Sequence, residues 1–167
     1  MPYKKNDQNM WNIIYSIFFT IICIFMFKTI QTVRGTLPTS ISFFDLVLIT
    51  LATFRLVRLF VYDKITHFLR DMFLHTEETY TEEGVTYFAK KERTYGPLRT
   101  AYELLTCPWC FSIWASAFVI FFYFLTPDAW LPILVLAVSG IATFVQLTAN
   151  MIGWTAENGK IQATKNQ

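Results

Sequence analysis

Cys107 and Cys110 are the residues of this chain best equipped for chemistry. They stand two residues apart in "ELLTCPWCFSIW", Glu103 to Trp114, directly ahead of a long apolar run. Thr106 and Pro108 are residue types favoured where a helix begins. A helix starting there would hold both thiols near unpaired backbone N–H groups and the positive end of its dipole, an environment that favours the thiolate. Three uses follow from that placement. A dithiol can exchange with a disulfide, but a thioredoxin-like site needs a βαβ context that the sequence lacks. A membrane oxidase would also want a second cysteine pair, and Cys23 stands alone. A zinc site needs about four ligands. Cys107 and Cys110 supply two, leaving His67 and His75 to complete it within one chain or across a dimer. In the third use, which we prefer on sequence, the motif fixes the start of a membrane helix: Trp109 and Trp114 anchor it at the interface and the cysteines are small, soft packing residues. No cofactor is expected.

The elements that must position this motif are apolar blocks. The chain has 167 residues, 54% of them apolar, above the roughly 45–50% of soluble domains. Those residues gather into stretches of membrane-spanning length with most charges between them. The first block, 11–27, follows a 1–10 tail and lacks a small-residue cleavage site, so it reads as an uncleaved anchor. The second, 41–62, would reach about 33 Å as a helix. The third and fourth, 108–125 and 131–154, are joined by "TPDAW" and must form an antiparallel hairpin. The expected fold is therefore all-α and polytopic: four transmembrane helices, with 41–154 as the membrane domain and a polar tail over 155–167. Ten Lys and Arg lie in the N-terminal tail, the 63–106 segment and the C-terminal tail, against two between the first spans, Lys28 and Arg34. That imbalance places both termini and 63–106 in the cytosol. Within 63–106, apolar residues from Val61 to Phe73 recur at helical spacing and predict an amphipathic juxtamembrane helix. "TYTEEGVTYF" then predicts a short hairpin.

Charges inside the second span suggest a further site. Arg55 and Arg58 lie within about 10 and 6 Å of its cytosolic end. In the fourth span Ser139, Ala142, Thr143, Gln146 and Asn150 form a small, polar stripe of helix-packing character, and Gln146 and Asn150 fall at nearly the depth of the arginines. A cluster of Arg55, Arg58, Gln146 and Asn150 beneath Cys107 and Cys110 would suit an anionic lipid headgroup or another acidic ligand. Asp45 is too far along its helix to pair with Arg55. The net charge of +2 and the absence of a basic run exclude a nucleic-acid partner.

"SFFDLVLITLATFRLVRLFVYDKITHFLR", Ser42 to Arg70, followed by "ELLTCPWCFSIW", resembles the small bacterial and phage membrane proteins of the domain of unknown function 1360 (DUF1360) family, one member of which is linked to sporulation. The resemblance runs from about Ser42 to the end of the fourth span. It implies no activity, but groups Asp45, Arg55, Arg58, Asp63, Lys64, Cys107, Pro108, Trp109, Cys110 and Trp114 as one constellation. The first span and the "TEETYTEEGVTYFAKKERTYG" insertion are additions. The preferred function is a non-enzymatic accessory or interaction protein of the bacterial cytoplasmic membrane, in a sporulation or phage setting, contacting membrane lipids and a protein partner or a second copy. A membrane thiol oxidoreductase using Cys107 and Cys110 is the alternative, and a small transporter or pore comes third.

Overall fold

The computed structural model describes residues 5–35, 40–80 and 86–165. Its elements in chain order are α1 (Lys5–Arg34), α2 (Phe43–Val57), a π-helical turn (Arg58–Tyr62), a 3-10 turn (Lys64–Thr66), α3 (His67–Asp71), β1 (His75–Tyr80), β2 (Thr86–Lys91), α4 (Pro97–Thr106), α5 (Pro108–Leu125), a second 3-10 turn (Pro127–Ala129) and α6 (Trp130–Lys165). The chain is thus predominantly helical, with one antiparallel strand pair running from His75 opposite Lys91 to Tyr80 opposite Thr86.

The core lies where α2, α5 and α6 meet: Leu48, Ile49 and Ala52 from α2, Val119 from α5, Ile133 and Ala137 from α6. Small residues let the backbones approach, as they do between helices in lipid. Ala52 is wholly buried, and a Cβ on Gly140 would stand 2.5 Å from the Leu51 carbonyl oxygen. This packing face departs from the expected stripe. Ser139 and Thr143 are half-buried, but Ala142, Gln146 and Asn150 are exposed, because Ile133, Ala137 and Gly140 turn a different side of α6 to α2.

Large apolar side chains point outward instead, among them Ile13, Phe18 and Phe25 of α1 and Val135, Phe144 and Val145 of α6. Among the described residues three helical stretches are long and apolar enough to cross a membrane: Gln8–Arg34, Pro108–Leu125 and Pro127–Thr164. The expected second span is not a fourth of that kind. It is a regular helix of 15 residues continued by a five-residue π turn.

That turn ends where Asp63 becomes extended (φ −73°, ψ 146°). The carbonyls left open at the helix end are taken up by two side chains from beyond the break. Thr66 Oγ1 donates to the carbonyls of Leu59 and Asp63. Arg70 donates to those of Phe60, Val61 and Asp63. The continuous amphipathic helix expected from Val61 to Phe73 is therefore replaced by a 3-10 turn and the short α3. The Glu-Glu-Gly turn expected in the hairpin lies outside the described residues. At the other end α6 runs on through the expected polar tail to Lys165, 36 residues in all.

A candidate site at the α1, α4 and α5 junction

Gly96 opens α4 with φ 106°, a left-handed conformation that glycine adopts without strain, and Pro97 follows at the first helical position. Ten residues later the chain turns again. Cys107 is extended (φ −92°, ψ 109°), caps α5 and precedes Pro108. Its sulfur accepts from the Cys110 backbone N–H at 3.4 Å. The Cys110 thiol, and the backbone N–H groups of Cys110 and Trp109, hold the Cys107 thiol below its ordinary pKa. The two cysteines are not joined in a disulfide. The sequence motif is therefore a helix cap and a polarised thiol pair at once.

One wall of the site was not expected. Gln8, Asn12, Tyr15, Ser16 and Phe19 recur at helical spacing along α1 and face α4 and α5. Gln8 Nε2 donates to Thr100 Oγ1 at 2.8 Å, and Thr100 donates to Asn12 Oδ1 at 3.2 Å. The Gly96 N–H donates to Gln8 Oε1 at 3.2 Å, and the Tyr15 hydroxyl to the Pro97 carbonyl at 3.1 Å. Further along, the rings of Phe19 and Trp114 meet at 4.6 Å. Between these polar and aromatic contacts lies a half-open cavity of about 520 Å³, onto which Cys107, Cys110 and Glu103 face. A smaller space of about 330 Å³, lined only by apolar side chains such as Phe60, Phe111 and Phe118, lies on the other side of Leu104 and Trp114. Gln8, Asn12 and Ser16 at four-residue spacing were the available signal, since polar residues along one stripe of an apolar helix mark a face with partners.

The remaining candidate residues divide among separate contacts. Arg55 pairs with Asp63 at 3.1 Å. The Arg58 guanidinium lies over the Tyr62 ring at 4.7 Å, and its buried Nε has no hydrogen-bond partner among the described residues. Gln146 and Asn150 are exposed and bond to each other at 3.2 Å. The four are not joined by a common contact among those described. Asp45 lies near Tyr123 of α5. His67 contacts Asp71 at 3.1 Å. Among the described residues no three His, Cys, Asp or Glu side chains gather as metal ligands within one chain.

Residues 48–149 match a family described as a protein of unknown function (DUF1360). The chain is 38% identical over 105 residues to Sporulation protein YjcA of Bacillus subtilis (strain 168), covering 60% of this chain and 86% of that protein. It is 27% identical over 107 residues to UPF0713 protein YngL of the same organism, covering 64% and 78%. No solved structure matches. The matched segment contains α4, α5 and both cysteines, whereas α1, the wall that encloses the cavity, lies outside it.

Proposed function

The chain belongs to the DUF1360 family, and from that premise we propose that it is a multi-pass accessory protein of a bacterial cytoplasmic membrane, acting in sporulation through contacts made by its 63–106 face. The observation that carries the reading is the belt of outward apolar side chains on three helices of spanning length. Such a belt is unfavourable in water and needs no further partner in hydrocarbon. We place α2 as a fourth crossing, because Phe43 to Tyr62 is long enough with its π turn and packs between α5 and α6. Its charges suit that placement: Arg55 is neutralised by Asp63, and Arg58 lies beside Tyr62 near the helix end. Of the proposed headgroup-binding residues, Arg58 with its unpartnered Nε is the best supported.

The Lys and Arg distribution puts both termini and 63–106 inside. In a variant lacking native cysteines, Asp128→Cys should react with an impermeant maleimide added outside intact cells. Glu92→Cys and Gly159→Cys should react only after permeabilisation. Labelling of all three from outside, or recovery of the chain in the soluble fraction, would overturn the placement. The role is tested by expressing the chain in Bacillus subtilis in place of YjcA and counting heat-resistant spores. Counts above those of the strain lacking YjcA support it, and equal counts with the chain present in the membrane refute it.

A further inference from the structure

We propose that the cavity between α1, α4 and α5 binds the ring of a lipid-soluble quinone, and that the bound ring takes two electrons from Cys107 and Cys110. The inference goes beyond the accessory reading but keeps its membrane placement. A space of about 520 Å³ is of the size that takes a small organic ligand. Phe19, Leu104, Ile113 and Trp114 give it an apolar, partly aromatic lining, and Ser16 and Asn12 add a few polar groups. A flat ring with two carbonyl oxygens fits that mixture. A peptide disulfide, the usual partner of a thiol pair in water, gains little from such walls.

The thiols face this space and already interact. Cys110 N–H donates to Cys107 Sγ at 3.4 Å, and Cys107 is the extended cap just ahead of the helix that carries Cys110, so closing the disulfide takes side-chain rotation together with a backbone adjustment at this cap that brings the two Cβ atoms to the roughly 3.8 Å the bond needs. In the exchange both S–H bonds break and one S–S bond forms. Two electrons and two protons pass to the quinone, whose two carbonyls become hydroxyls. A membrane quinone also supplies what the cytosolic pool does not, an oxidant at the face where the thiols sit. The lowered pKa of Cys107 provides the electron-rich sulfur.

The test uses the purified, reduced full chain in detergent under argon with duroquinone, whose fully substituted ring disfavours lasting thiol adducts. Quinol formation is followed by absorbance, thiols are counted, and the disulfide is located by peptide mass. The expected result is one quinol formed per two thiols lost, a Cys107 to Cys110 disulfide, an intact Cys23, and a rate that saturates with quinone. Cys110→Ser should form no quinol. Ser16→Trp, filling the cavity, should slow the quinone reaction about tenfold while reaction with a water-soluble aromatic disulfide stays within about twofold. Trp114→Ala offers a second change to the wall should Ser16→Trp fail to fold. No oxidation, or a rate that rises linearly with quinone and ignores both wall variants, would overturn the proposal. Because the assay is in detergent, its failure is distinct from failure of the membrane placement, which the maleimide labelling reads.

Discussion

Arg70 is largely buried, and it directs its guanidinium at three backbone carbonyls at the end of α2. Hydrogen bonds from a charged donor are worth more than neutral ones, and open carbonyls in a half-buried turn are costly. Arg70→Ala should therefore lower stability by about 2–3 kcal/mol, read as thermal unfolding in detergent by circular dichroism, with Arg70→Lys recovering only part because an ammonium lacks the planar fork. An unchanged midpoint for Arg70→Ala would remove Arg70 as the cap. Asp71, next in the chain, ties the hairpin to α3. Lys90 donates to its carboxylate at 2.5 Å and, with His67, holds it below the ordinary carboxylate range. A carboxyl depressed in the folded state adds stability above its unfolded pKa and loses it as pH falls through the lower folded value. Protection of the β1 and β2 backbone against hydrogen exchange, corrected for the intrinsic pH dependence, should thus be steady from neutral pH to about 4 and fall below it. In Lys90→Met the protection should be lower at neutral pH and the acid step smaller. These partners were hard to read from sequence. Arg55 and Asp63 are eight residues apart, about 12 Å along a regular helix, and they meet only because the chain departs from the α-helix after Val57.

At the scale of elements, α2 and α6 are set by how closely their backbones approach. A Cβ at Gly140 would sit 2.5 Å from Leu51 O and 3.3 Å from Leu51 C, and a backbone carbonyl inside a helix cannot swing aside. Gly140→Ala should push the two helices apart and cost about 1–3 kcal/mol of stability. Gly153, in the same helix, would meet nothing within 4 Å. Gly153→Ala should be neutral or stabilise by about 0.5–1 kcal/mol, since glycine inside a helix costs that much. The pair of thermal midpoints checks the contact, and equal shifts would mean that α2 and α6 do not meet at Gly140. The apolar blocks were legible because their length and composition are local properties of the sequence. The side that α6 presents to α2 was not. Depth along a helix follows from residue count, which placed Gln146 and Asn150 level with the arginines, but rotation about the axis is decided by small residues such as Ala137 and Gly140 finding a partner surface. The helix start at Cys107 was legible for the opposite reason, since its cap and Pro108 act within one turn.

For the whole molecule the least legible feature is the docking of α1. Apart from the four-residue spacing of Gln8, Asn12 and Ser16, nothing in its sequence distinguishes an isolated anchor from a packed helix, and the contacts that dock it join residues 88 and 92 positions apart. Those contacts concentrate at one end: Gln8, Asn12 and Tyr15 bond to Thr100, Gly96 and Pro97, while much of the rest of α1 turns apolar side chains outward. The family match begins at residue 48, so α1, one wall of the cavity onto which the thiols face, lies outside the matched segment that carries both cysteines. If the Gln8 and Thr100 bonds hold that wall in place, loosening them should open the half-buried Cys107 to solvent without unfolding α4 or α5. Thr100→Val removes the shared hydroxyl and leaves Gln8 and Asn12 without their common partner. A loss of about 1–3 kcal/mol in docking is expected from the buried Gln8 amide left without its acceptor. In full-length protein lacking Cys23 and Cys110, the rate at which the half-buried Cys107 reacts with a bulky maleimide should rise by about fivefold or more, while circular dichroism stays that of the parent. Trp114 fluorescence should shift in the same variant as Phe19 withdraws from its ring. If the labelling rate is unchanged and the helices remain folded, α1 is held by lipid and by its apolar contacts alone, and the polar stripe from Gln8 to Ser16 does not control access to the cysteine pair.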